Sequence, residues 1–259
     1  MLEQLAVGYA VTFALSVARL GGFVTVSPLP GEQAPLSTRV GLVMVLAVVI
    51  TPLVRPPAGG LDLGLALVIP AATELGLGLL VGVAFRFVLA AADVLGGVLS
   101  QAVGIGMPSL FNPTAGVQDT AIGQIYGLFT LLLALGLGAH RVALAYLLES
   151  FQALPVGSVL HLERSVPVMV ELAGTTVAVG ARLAMPVVAT AVALYLVLAL
   201  LARAAPSMQL FSIGFTVLLL VGFSTMIASA PSIGQGLAEH IGLLGSVLDR
   251  LLTSVSPWR

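Results

Sequence analysis

Cysteine and lysine are both missing from this 259-residue chain, tryptophan occurs once, and charged residues make up only 8% of it. Without cysteine there is no disulfide, no thiolate nucleophile and no cysteine metal site. The ten basic residues are all arginine, and eleven acidic residues leave a formal net charge of −1. That balance provides no basic patch for nucleic acid and no strongly acidic surface. An ordinary soluble domain carries about 25% charged residues. Here hydrophobic residues reach 59% and mean hydropathy is +1.14. A soluble globule could not hide so much apolar surface. The composition is that of an integral membrane protein.

Catalytic constellations are equally scarce. His140, His161 and His240 are scattered, and none sits in a His-Glu-x-x-His zinc arrangement. His161-x-Glu163 lacks the cysteines of a deaminase-type zinc site. Gly104-Ile-Gly106 has no third glycine and no strand-to-helix setting, so it is not a dinucleotide turn. Pro113 occupies the excluded position of Asn112-Pro113-Thr114, which removes it as a glycosylation acceptor. No enzymatic role and no cofactor are expected. The first residues carry Glu3 and no basic n-region, so the first apolar run reads as retained, not cleaved.

About six apolar helical segments are expected, some of them kinked or broken, in an all-α fold. The first runs from Leu5 to Val26 and contains Arg19, with a break at Pro28-Leu-Pro-Gly31. A second, Val40 to Val54, lies between Arg39 and Arg55-Pro-Pro57 and is short for a full span of about 20 residues. Leu63 to Met107 is interrupted by Pro70, Glu74, Arg86 and Asp93, and reads as two helices or one long kinked helix. Thr120 to Ala139 is uncharged, followed by a helix through Leu148 and a stop at Leu154-Pro155-Val-Gly157. A helix starting near Val168 continues through the uncharged stretch Leu183 to Ala202. After a short polar break, no ionisable side chain appears between Ala204 and Ala238. Two such runs around a break containing Pro206 predict a C-terminal helical hairpin. Ile241 to Leu252, with Asp249 and Arg250, reads as an interfacial helix. The whole chain is one membrane domain with no internal repeat, and its evenly spread arginines leave its orientation open.

Charges within apolar stretches carry weight, because burying one in a bilayer costs at least ~2.5 kcal/mol. They are Arg19, Glu74, Arg86, Asp93 and Arg182. Arg86 and Asp93, seven apart, share one helix face two turns from each other. A proton or ion path would use such groups. A structural role is the preferred reading, the charges being paired across subunits or facing water at a segment not truly embedded in lipid, because a relay usually needs more carboxylates facing one another. Glycines at helical spacing, Gly78-x-x-x-Gly82 and Gly123-x-x-x-Gly127, allow close helix approach. Their number suggests helices covered by other protein as well as by lipid. Gly106 to Gly116 is different: Pro108 and Pro113 prevent a continuous helix, yet Met107, Leu110 and Phe111 are apolar. Irregular backbone at membrane depth needs protein or water around it. The segment either lines or occludes a channel, or forms a simple extracytoplasmic loop.

Several stretches resemble the FliR family in that family's order. The hairpin turn Arg203-Ala-Ala-Pro206-Ser-Met-Gln-Leu-Phe211-Ser-Ile-Gly214-Phe is similar to the corresponding turn, with Gln209 where Asn is usual and Thr216 where Pro often follows. Ala18-Arg-Leu-Gly-Gly-Phe23, Pro28 to Gly31, Arg39-Val40 and Thr51-Pro52 look like its N-terminal stretch. Glu74-Leu-Gly-Leu-Gly78 with Gly82 and Arg86 resembles its third apolar region, and Gly97 to Gly104 the small-residue helix after it. Ser109-Leu-Phe-Asn112-Pro113 is similar to an Asp-Pro turn, Asn112 replacing the acid. Gly138-Ala-His140, Leu148-Glu-Ser-Phe151 and Leu154 to Gly157 resemble its Gly-His and Glu-Ser-Phe segments. The likeness covers nearly the entire chain.

The resemblance implies a core subunit of a bacterial type III export gate, flagellar in preference to virulence-associated, in the inner membrane. It implies assembly with FliP and FliQ, joined by FlhB and FlhA, into a pore for unfolded export substrates. Residues 1–165 would be FliP-like in fold and 166–259 would form a FliQ-like hairpin. A mid-chain plug would include Met107, Pro108, Leu110, Phe111, Asn112 and Pro113. Assembly would draw on Arg19, Glu74, Arg86, Asp93, Arg182, Arg203, Pro206, Phe211 and Gly214. The alternative is a small multi-pass secondary transporter or ion-conducting subunit using Glu74, Arg86 and Asp93, although no inverted repeat supports it.

Overall fold

A computed structural model describes residues 2–28, 31, 34–54, 56, 67–105, 121–158, 161–204 and 210–256, without the side chains of 2–6 and 210–213. The chain is all-α. Its helices are α1 (Leu2–Val26), α2 (Leu36–Ile50), α3 (Val68–Ala102), α4 (Ala121–Gly136), α5 (Ala139–Ala153), α6 (Val166–Ala204), α7 (Leu210–Gly242) and α8 (Leu244–Val255). Short 3-10 turns occupy Thr51–Leu53 and Leu162–Ser165. Among the described residues, five helical stretches are long and apolar enough to cross a membrane, or six if α4 and α5 count as one bent span.

Local chemistry explains the boundaries. Gly31, at φ 121, lies in the break expected after α1, and Arg39 donates to the carbonyls of Thr25 and Gly31, each at 3.0 Å. That ties the connection to the start of α2. Leu63 to Met107 resolves in favour of one long helix, α3, whose 35 described residues include Glu74, Arg86 and Asp93 without interruption. Pro70 falls in its first turn, where a missing N–H has no intrahelical partner to lose. Gly104, at φ 86, ends the stretch in the left-handed conformation that glycine adopts cheaply. Gly138, at φ 75, separates α4 from α5.

Two compact units are present: Met1–Val88 with Gly138–Ala173 and Gly242–Arg259, and Leu89–Leu137 with Gly174–Ile241. In the first, α1 crosses α3 with almost no space between backbones. A Cβ on Gly78 would run into the Arg19 carbonyl and reach 2.9 Å from the Phe23 nitrogen, and one on Gly82 would lie 2.8 Å from the Phe23 oxygen. Gly22 is held equally close, a Cβ there reaching 2.9 Å from the Leu79 nitrogen. These glycines therefore serve packing inside the chain. The apolar stripe of α8, namely Leu244, Leu248, Leu251, Leu252 and Val255, is buried. Leu252 and Val255 pack with Leu77 and Leu154, so protein covers a face that was expected to lie at an interface with lipid.

In the second unit, Ala91, Leu95, Leu99, Tyr126, Val187 and Leu237 belong to one buried core. α6 and α7 run antiparallel. Gly236 meets the Leu183 side chain, Thr190 Oγ1 lies 3.4 Å from Thr225 Oγ1, and Gly214 abuts Leu198. The contacts move outward along one helix as they move inward along the other, which is the C-terminal hairpin expected from the two uncharged runs. Pro186 and Pro231, both inside helices, lie at matching heights in this pairing. Hydroxyls along α7 bond back to their own helix, as Thr225 does to Val221 at 2.8 Å and Ser229 to Thr225 at 2.7 Å. Such bonds satisfy polar groups in apolar surroundings.

Candidate functional site

Arg19 on α1 and Glu74 on α3 are both fully buried, at 0% exposure, and Arg19 Nε donates to Glu74 Oε2 at 2.5 Å. Coulomb attraction in a low-dielectric interior is strong, but the desolvation of both ions offsets much of it unless their remaining hydrogen-bonding capacity is met. Here it is met from one direction. Arg19 Nη1 donates to Ser150 Oγ and Nη2 to the Leu154 carbonyl, each at 3.1 Å. The Gly157 backbone N–H donates to Glu74 Oε1 at 2.9 Å. The Phe151 ring centroid lies 4.2 Å from the guanidinium carbon, a cation–π contact. Three of the stretches that carry the family resemblance, around Ala18 to Phe23, Glu74 to Gly78 and Leu148 to Gly157, thus converge on one buried knot.

Sequence reasoning had picked out Arg19 and Glu74 singly. It missed Ser150, Phe151, Leu154 and Gly157 as their partners. Leu154 and Gly157 contribute backbone groups, which leave no trace in residue type. No substrate can reach a site with neither ion exposed, and each nitrogen of the guanidinium and each oxygen of the carboxylate already has a partner. The chemistry of this knot is therefore structural.

The remaining predicted residues are placed differently. Arg86 and Asp93 are exposed on α3, and each engages another group. Arg182 and Arg203 are exposed on α6. Gly214 is buried, and a Cβ placed on it would lie 3.1 Å from the nearest Leu198 methyl. Phe211 belongs to the first turn of α7, its side chain outside those described. Met107, Pro108, Leu110, Phe111, Asn112, Pro113 and Pro206 lie outside the described residues. A second ion pair, not expected from the sequence, joins Arg250 of α8 to Glu171 of α6 through the two terminal guanidinium nitrogens, with Arg250 Nη1 to Glu171 Oε1 at 2.9 Å. Among the described residues no group of three or more His, Asp or Glu could hold a metal ion.

The surfaces of the long helices are apolar on more than one side. On α2, Val43, Ala47 and Ile50 are buried while Val45, Val48 and Val49 are exposed. On α6, Val192, Leu196, Leu200 and Leu201 are exposed in the same way. A helix apolar all round belongs in lipid or against other protein.

The family described as bacterial export proteins, family 1, matches residues 10–244. The chain is similar to the flagellar biosynthetic protein FliR of Aquifex aeolicus (strain VF5), 27% identical over 247 residues that cover 95% of each chain. FliR of Escherichia coli (strain K12) is 26% identical over 241 residues, 90% of this chain and 91% of that one. FliR of Bacillus subtilis (strain 168) is 26% identical over 220 residues, covering 83% and 84%. A match along that much of its length shows that the chain belongs to the bacterial export proteins of family 1, the FliR family.

Proposed function

We propose that this chain is a core subunit of the flagellar type III protein export gate, assembling with FliP and FliQ homologues around a pore for unfolded export substrates. Membership of the FliR family makes it a membrane component of flagellar export. The finer reading is supported above all by the α6–α7 hairpin, on which Leu196, Leu200 and Phe223 are exposed and so are the cations Arg182 and Arg203. Arginine at an apolar helix surface is costly in lipid and inexpensive beside a neighbouring subunit that supplies a carboxylate. The role is structural and not catalytic, and its setting is the bacterial inner membrane. FlhB and FlhA homologues are the further partners in this reading, and residues 1–165 and 166–259 are its FliP-like and FliQ-like parts.

Within the same proposal, residues 106–123 plug the closed pore, with Met107, Leu110 and Phe111 as apolar stoppers. Deleting Pro108 to Ala121 should make the assembled gate leak small ions, and unchanged membrane permeability would count against a plug. Assembly is tested by co-purification. Arg203→Ala and Phe211→Ala should each lower recovery of FliP and FliQ homologues, and normal yield would remove these residues from the interface.

A further inference from the structure

We propose that the Arg19–Glu74 pair is a clasp on the Leu154–Gly157 turn, fixing where α5 ends, and is not what holds α1 to α3. This inference stands apart from the export-gate reading. Each ion makes one bond to the other and one to the backbone at an end of the turn. Arg19 Nη2 holds the Leu154 carbonyl at 3.1 Å and Glu74 Oε1 holds the Gly157 N–H at 2.9 Å.

Apart from the apolar packing of Leu154 and Val156, the turn has few bonds of its own. Leu154 leaves the helical conformation at φ −124 and ψ 90, Pro155 has no N–H, and Gly157 sits at φ 82. Among the described residues its backbone-to-backbone bonds are those from Leu154 N to Ser150 O, 2.9 Å, and from Ser158 N to Pro155 O, 3.1 Å. Yet Leu154 and Val156 are buried, at 0% and 2% exposure. A buried turn of this kind needs external partners for its polar groups, and the two charged side chains are those partners. The α1–α3 crossing has an independent cause in Gly22, Gly78 and Gly82, whose missing side chains let the backbones touch. Losing the clasp should therefore free the turn and leave the crossing closed.

The chain has no native cysteine, so single reporter cysteines can separate the two effects in the full-length protein in membranes. Val156→Cys reports the turn, and Val81→Cys, buried on α3 and adjoining Gly82 of the crossing, reports the crossing. With Glu74→Gln, N-ethylmaleimide should react at least about tenfold faster at the Val156 reporter and at an unchanged rate at the Val81 reporter, the signature of local opening. Arg19→Lys, which keeps the charge but loses the fork that spans Glu74 and Leu154, should give the same selective opening with a gentler effect on folding. The proposal is overturned if the Val156 reporter stays protected in both variants, or if both reporters open together in Arg19→Lys.

Discussion

Glu74 and Gly157 are joined by a hydrogen bond from the Gly157 backbone to the Glu74 carboxylate across 83 sequence positions, while the same carboxylate holds Arg19. This couples a helix near the start of the chain to the turn that precedes α6. Removing one ion leaves the other buried and unpaired, which typically costs about 3–5 kcal/mol, whereas replacing both by apolar residues is often neutral. Arg19→Leu or Glu74→Leu alone should therefore sharply reduce the melting temperature in detergent. The double variant should recover only part of that loss, because the Leu154 carbonyl and the Gly157 N–H stay without their partners in it, and a strictly additive double would contradict the pairing.

The exposed pair Arg250–Glu171 provides the contrast. Both side chains are about half exposed, at 53% and 55%, so water and salt screen their attraction. Glu171→Gln should leave the melting temperature unchanged within error. A fall as large as that of Glu74→Leu would show that exposure in the isolated chain is a poor guide.

Glycine substitutions test the helix crossing. Gly78→Ala puts a methyl into the Arg19 backbone and should destabilise by about 1–3 kcal/mol or more. Gly97→Ala meets nothing within 4 Å and should be neutral or mildly stabilising, because alanine is the better helix former. Equal yields of folded protein from the two variants would refute the close approach.

His240 is 3% exposed, and neither ring nitrogen has a hydrogen-bond partner among the described residues. A buried polar group left unsatisfied costs about 1–3 kcal/mol. His240→Leu should raise the melting temperature of the isolated chain, and a fall would reveal an unseen partner for the ring.

Much of the fold was legible because membrane helices announce themselves by uncharged length. Leu183 to Ala202 and the stretch after Ala204 became the antiparallel α6 and α7. Charges inside Leu63 to Met107 raised the prospect of a break, yet a charge does not interrupt backbone hydrogen bonding, and α3 runs through all three. The pairing of Arg19 with Glu74 was hidden because it depends on which helices meet, and composition along one helix does not report that. Burial of the α8 stripe was hidden for the same reason: an amphipathic helix looks alike whether lipid or protein covers it.

Native mass spectrometry of the chain co-expressed with FliP and FliQ homologues addresses the export-gate assignment most directly. One detergent-extracted complex containing all three proteins is the expected result. Recovery of this chain alone, beside a FliP–FliQ complex that forms equally well without it, would contradict the assignment.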